Sequence, residues 1–322
     1  MKPVRGILGC MIAAATLAAF TPAHAQNNYP SRAIKIVVPY QAGGSTDMVV
    51  RKLAELASPK LGQPVIIENK GGAGATLGAR TIANAPPDGY TLAILPSPVF
   101  RMPHMADTGY DPTKDFTYIS MLSGYTLGVA VPATSPFKSW QDLVAHAKQN
   151  PGKISYGTAS IGSASNVMME EIAGRNGISW MHVPYKGESA VLVDVLGNRV
   201  DLYAGSTTVA PQVAAGGMRM LVIWGENRSP LYPGTPTLKE LDGTPPMNAP
   251  FGIAGPKGLP QPILTKLQTV FKQIVESPEF AKILTEYGQE PAYMDSATYT
   301  EYAARAFEQE REIVKKLGLA GS

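Results

Sequence analysis

Residues 34–61 read IKIVVPYQAGGSTDMVVRKLAELASPKL, a β-branched run, a glycine-bearing turn and an amphipathic segment in that order. Ile34–Val38 has strand composition. Val49, Leu53 and Leu56 follow at i, i+4 and i+7, a spacing that gathers apolar side chains on one helical face. The alternation then repeats. Val65–Glu68 and Thr91–Leu95 read as strands, and Leu77 with Ile82 marks a shorter helix ending before Pro86-Pro87. A β-α-β-α-β unit of this kind specifies an α/β fold, a parallel sheet flanked by helices.

Beyond that unit, Pro96, Pro98, Pro103 and Pro112 break the pattern, so residues 96–116 read as an irregular surface excursion. A long β-rich stretch, Thr117–Val131, is interrupted by Ser123-Gly124 and is long enough to run from one lobe into the next. A second unit follows. Its helix at Ser139–Gln149 carries Ser139 and Asp142 as a capping pair, and Leu196-Gly197-Asn198 is a helix stop. Strands at Ile154–Gly157, Trp180–Val183, Leu202–Ala204 and Met220–Trp224 alternate with helices near 163–174, 188–197 and 208–216. A proline-rich link at 230–250 leads to a return strand, Phe251–Ala254, after which the chain reads as helical to its end, near 261–276, after Pro278, and at 296–317. The expected division is therefore residues 26–123 plus 250–322 in lobe 1 and 124–249 in lobe 2.

Composition narrows the function. Residues 1–25 have the three parts of an export signal: Lys2 and Arg5, an apolar run from Ile7 to Phe20, and Ala23-His24-Ala25 before the cut. Cys10, the one cysteine among 322 residues, falls inside that segment, which leaves no disulfide, thiolate nucleophile or cysteine-ligated metal afterwards. Losing Lys2 and Arg5 brings the 28 basic side chains to within one of the 25 acidic ones, a balance unsuited to nucleic acid or an anionic membrane. No later segment has the roughly 18 unbroken apolar residues of a membrane span. A periplasmic protein is expected, acting as a monomer and without a cofactor.

The informative chemistry lies in glycine-rich strand-to-helix turns. Tyr40-Gln41-Ala42-Gly43-Gly44-Ser45-Thr46-Asp47 leaves the first strand, with Ser45 as the expected cap and Asp47 steadying the first helical turn. Free N–H groups at such a helix start suit a carboxylate. Gly71-Gly72-Ala73-Gly74-Ala75-Thr76 has the same position after the second strand, and Tyr156-Gly157-Thr158-Ala159-Ser160-Ile161-Gly162-Ser163-Ala164-Ser165 has it in the other unit. Three such turns from two units describe a cleft that collects main-chain donors from both lobes. A gap lined with acidic side chains would overturn the account. Lys186 precedes another helix start, and Arg101 and His104 read as solvated, with reach over the cleft as the alternative.

Catalytic readings find less support. A hydrolase using Ser160 or Ser163 lacks the G-x-S-x-G turn, and His182, inside a strand, reads as a packed histidine. No H-E-x-x-H pair or acidic loop points to a metal. A sensor that presents bound ligand to a signalling receptor is a further alternative.

Taken in order, several motifs resemble the solute receptors of tripartite tricarboxylate transporters, the Bug family. They are Tyr29-Pro30-Ser31-Arg32, Val37–Asp47, Leu61-Gly62-Gln63-Pro64-Val65, Glu68–Gly74, Pro87-Asp88-Gly89-Tyr90-Thr91-Leu92, Val183-Pro184-Tyr185-Lys186-Gly187 and Tyr232-Pro233-Gly234-Thr235-Pro236-Thr237. The resemblance implies a type II periplasmic-binding fold, two α/β lobes joined by two crossover segments around a ligand cleft. It implies a carboxylate-bearing ligand held between the Ala42-Gly43-Gly44, Gly74-Ala75-Thr76 and Gly157–Ser165 loops. A small mono- or dicarboxylate is expected, with Tyr40, Ala42, Gly43, Gly44, Ser45, Asp47, Gly74, Ala75, Thr76, Ser97, Thr158, Ser160, Gly162, Ser163, Ala164, Lys186, Gly205 and Ser206 as the site residues. Delivery to integral-membrane transporter subunits, with no reaction catalysed, is implied as well. The chain departs from the family pattern at Ser97-Pro98-Val99-Phe100-Arg101 and at Ala204-Gly205-Ser206, where relatives frequently carry an aspartate; both bear on the far end of the ligand.

Overall fold

A computed structural model describes residues 29–247 and 249–319; the expected export signal and Cys10 lie outside the described residues. In the first lobe the chain runs through β1 (Ile34–Val38), α1 (Ser45–Leu61), β2 (Val65–Asn69), α2 (Leu77–Ala83), β3 (Thr91–Leu95), α3 (Pro98–Arg101) and β4 (Phe116–Tyr125). It enters the second lobe as β5 (Leu127–Pro132) and continues through α4 (Trp140–Gln149), β6 (Ser155–Thr158), α5 (Ala164–Asn176) and β7 (Met181–Pro184). Next come α6 (Glu188–Leu196), β8 (Leu202–Ser206), α7 (Ala210–Ala214), β9 (Met218–Ile223) and α8 (Leu238–Asp242). The return is made by β10 (Ala249–Pro256), α9 (Gln261–Val275), α10 (Pro278–Glu286), β11 (Glu290–Met294) and α11 (Ser296–Leu317).

These strands form two sheets, ordered β11-β4-β10-β3-β1-β2 and β7-β6-β8-β5-β9. In the first, β1 pairs in parallel with β2 and β3, as the β-α-β-α-β pattern predicts, and β10 runs antiparallel to β3 and β4. The two-residue period of β1 serves both faces. Ile34, Ile36 and Val38 pack with Val49, Val50 and Leu53 of α1 and with Leu267 and Phe271 of α9, while Val37 joins Ala79 and Ile82 of α2 and Tyr299 of α11. Each such side chain contributes about 1.5–3 kcal/mol on burial. The second sheet is likewise covered on both faces. Val129, Tyr156, Leu202 and Trp224 pack with Trp140, Met169 and Ile172 on one side; Ala130, Tyr203 and Ile223 pack with Val191 and Val195 of α6 on the other.

Three local expectations need correction. The break in the long β stretch falls at Thr126, leaving Ser123 and Gly124 inside β4, where they pair with Phe251 and Pro250. The C-terminal region is not wholly helical, because β11 lies on the edge of the first sheet against β4; its Pro291 hides the strand, although an edge position tolerates proline. Residues 96–116 are no loose excursion, since Val99, Phe100 and Tyr110 are buried with Tyr118 and Tyr299.

Candidate functional site

In parallel α/β units the carboxyl ends of strands open onto a crevice. Here the ends of β1, β3 and β6 do so from two lobes, meeting the β4–β5 crossover. One cavity is lined by Tyr40, Gly44, Ser45 and Thr46 after β1, by Pro96, Ser97 and Pro98 after β3, and by Ala159, Ser163, Ala164 and Ser165 after β6. Tyr125, Leu127, Glu188 and Ala249 close it.

The first turn works through Gly43, whose φ of 87° lies in the left-handed region. It is followed by Gly44 as the N-cap of α1. Ser45 was the expected cap, but its hydroxyl is engaged elsewhere: Ser45 Oγ lies 2.7 Å from Ser206 Oγ, and its N–H donates to Thr208 Oγ1 at 2.9 Å. No side chain caps α1; Asp47, in its first turn, accepts from Gly43 N–H at 2.9 Å, Arg51 Nε at 2.9 Å and Asn69 Nδ2 at 2.8 Å. Burial pushes its carboxyl up, but those hydrogen bonds outweigh burial and hold it below the usual value.

In the third turn, Ser163 caps α5 by accepting from Asn166 N–H at 3.2 Å. The N–H groups of Ala164 and Ser165 belong to the first helical turn, where no intrahelical acceptor exists, so a donor pair faces the cavity from lobe 2. Thr46 occupies the equivalent position in lobe 1. The second glycine turn plays another part. Ala73, Gly74 and Ala75 all have positive φ (48°, 63° and 65°), and the N–H groups of Ala75 and Thr76 are spent on Gly72 and Ala73 carbonyls. Gly74 packs against Met102, where a Cβ would lie 2.8 Å from Sδ.

Among the residues expected at the site, Tyr40, Gly44, Ser45, Ser97, Ser163 and Ala164 line the cavity, whereas Ala42, Gly43, Asp47, Gly74, Ala75, Thr76, Thr158, Ser160, Gly162, Lys186, Gly205 and Ser206 do not. Several of this second set join the lobes. Gln41 N–H donates to Lys186 O at 3.0 Å and Ser189 Oγ donates to Ala42 O at 3.2 Å. Arg101 is neither solvated nor over the ligand. Its side chain is 2% exposed and forms a bidentate pair with Glu310 at 2.6 and 2.7 Å, and its third nitrogen donates to Gly162 O of lobe 2 at 2.5 Å. His104 stacks on Phe307, centroids 4.2 Å apart, with Nε2 2.8 Å from the Phe307 carbonyl. His182 pairs with Thr158 Oγ1 at 2.7 Å and stacks on Tyr156, so among the described contacts it serves neither Ser160 nor Ser163.

Among the described residues lining the cavity, one is acidic. Glu188, the first residue of α6, lines the cavity; its Oε1 accepts from Ser206 N–H at 2.7 Å, and its Oε2 accepts from the Ser206 hydroxyl and from Thr208 Oγ1, the latter at 2.6 Å. Burial first, and Glu188 second, raise the Tyr40 and Tyr203 hydroxyls above their ordinary pKa, so both phenols keep their protons. Sequence reasoning passed over Glu188 because its partners come 18 and 20 residues later; an acidic residue opening a helix is the one local signal it gives.

The family described as "Tripartite tricarboxylate transporter family receptor" matches residues 49–319. A Cupriavidus necator protein described as "UPF0065 protein in gbd 5'region" is 44% identical over 313 residues, 96% of each chain. The structure of the periplasmic binding protein BugD is 31% identical and superposes with a TM-score of 0.87 over 91% of this chain and 100% of its own. An R. palustris protein solved with adipate is 28% identical, with a TM-score of 0.87 over 92% of this chain and 100% of its own.

Proposed function

Because the chain belongs to the tripartite tricarboxylate transporter receptor family, we propose that it is exported to the periplasm, captures a small carboxylate by closing its two lobes, and passes it to membrane transporter subunits. No bond is made or broken. The reading rests above all on one observation: the first turns of α1 and α5, from different lobes, line the same cavity with Tyr40, Ser97 and Ser163 around them. Both helix starts carry unpaired main-chain donors and the positive end of a helix dipole, which favours an anion. Closure follows from differential affinity, because only the shut form lets one carboxylate meet donors of both lobes. The adipate-bound relative supports a carboxylate as the class.

Purified protein titrated with mono- and dicarboxylates of two to six carbons is expected to gain thermal stability with at least one of them, by linkage of binding to folding. A shift with sugars or phosphate esters and with no carboxylate would overturn this reading. Deleting the gene should lower uptake of the stabilising ligand; unchanged uptake would assign the protein to sensing instead.

A further inference from the structure

Glu188 gives the cavity a polarity that a receptor for dianions would not have. Its carboxylate has no hydrogen to give, so the Ser206 and Thr208 hydroxyls, both bonded to Oε2, must spend theirs on it. Each hydroxyl carries one hydrogen. Ser206 Oγ therefore accepts from Ser45 Oγ at 2.7 Å, and Thr208 Oγ1 accepts from Ser45 N–H at 2.9 Å. The hydrogens of Ser45, Ser206 and Thr208 all run toward Glu188, and none of these hydroxyls retains one for a ligand.

The surroundings do not compensate. Among the described residues lining the cavity there is no lysine or arginine, and Glu188 is the one formally charged side chain. It sits on the first turn of α6, where it answers the positive end of that helix, leaving α1 and α5 as the helix starts open to an anion. Gly205 makes room for it: a Cβ there would come within 2.8 Å of Glu188 Oε1 and 2.7 Å of the Tyr203 ring. The end of β8 thus holds a glycine, and a carboxylate from the preceding helix fills the space above it.

Resting on the carboxylate-receptor reading, we propose that Glu188 sets ligand choice: the cavity takes a carboxylate whose other end bears a protonated amine, and it rejects dicarboxylates. The carboxylate lies on the α1 and α5 starts, and the ammonium donates toward Glu188 and the acceptor oxygens around it. A second carboxylate in the same place would meet a like charge and a Ser45 hydroxyl with no hydrogen left to offer.

The test measures affinity by calorimetry for aminocarboxylates and dicarboxylates matched in chain length from two to six carbons, on the wild type and on Glu188→Gln. In the variant the amide donates to Ser206 and Thr208, which lets Ser206 donate to Ser45 and frees the Ser45 hydrogen for the cleft. The wild type is expected to favour one aminocarboxylate over its matched dicarboxylate by about a hundredfold, the scale of a buried like-charge clash, and Glu188→Gln to abolish or invert that preference. Circular dichroism checks the fold of the variant, and Glu188→Ser provides a second one without the carboxylate. A dicarboxylate that binds the wild type as tightly as its amino partner, or a preference unchanged in both variants, overturns the assignment of Glu188 while leaving the receptor reading intact. Silence of every carboxylate on wild type and variants alike, with a shift from another solute class, overturns the receptor reading itself.

Discussion

Gly205 shows how one missing atom controls this site. Alanine there forces Tyr203, which is fully buried, and Glu188 apart, so Gly205→Ala is expected to cost about 1–3 kcal/mol in urea unfolding, the usual range for overpacking a core. His182 carries a pH signature. Burial lowers its pKa from 6.5 to about 4, so below pH 6.5 the unfolded chain binds a proton that the folded chain refuses. Stability from this group is complete above about pH 6.5 and drains away as pH falls toward 4. His182→Gln should flatten the fall in the urea midpoint between pH 6.5 and 5, where few carboxylates titrate; an unchanged slope would assign the loss to other groups. At this scale the sequence was legible wherever the partners are local. Ser139 and Asp142, three residues apart, form the expected capping box. Arg101 could not be read, because Glu310 lies 209 residues away, and Glu188 could not, because a carboxylate's meaning depends on whose hydrogens it takes.

Elements differ in how plainly they announce themselves. The β1–α1–β2 and β3 units obeyed their periodicity because each buries its apolar stripe against a neighbour adjacent in sequence, whereas β11 exists because β4 offers an edge, which no local pattern records. The junction of α3, α11 and the loop before α5 is held by Arg101, Glu310 and Gly162 O. Removing one member of a buried pair strands the other, so Arg101→Met is expected to lower stability by about 3–5 kcal/mol in chemical denaturation. Arg101→Met with Glu310→Leu should recover much of it, since an apolar pair leaves no buried charge. The cap on α4 offers a smaller check: Ser139→Ala should cost about 1 kcal/mol, with no effect on ligand affinity.

At the scale of the whole molecule, a single residue, Thr126, separates β4 from β5 in the other sheet, and the return path runs from Trp224 to Ala249, with Met247 N–H bonded to Trp224 O at 2.9 Å. Two such connections permit hinge bending of the lobes. The seam between them joins main chain and side chains: Ser45 meets Ser206 and Thr208, Arg101 reaches Gly162 O, Gln41 N–H meets Lys186 O, and a Cβ on Gly71 would sit 2.5 Å from that last oxygen. Gly71→Ala should therefore hold the jaws ajar, seen as a larger radius of gyration in solution scattering with ligand present and as weaker binding. Backbone against backbone has a further consequence. A contact between main chains survives any change of side chain, so that part of the bite can be inherited while the cavity wall, and with it the taste, drifts.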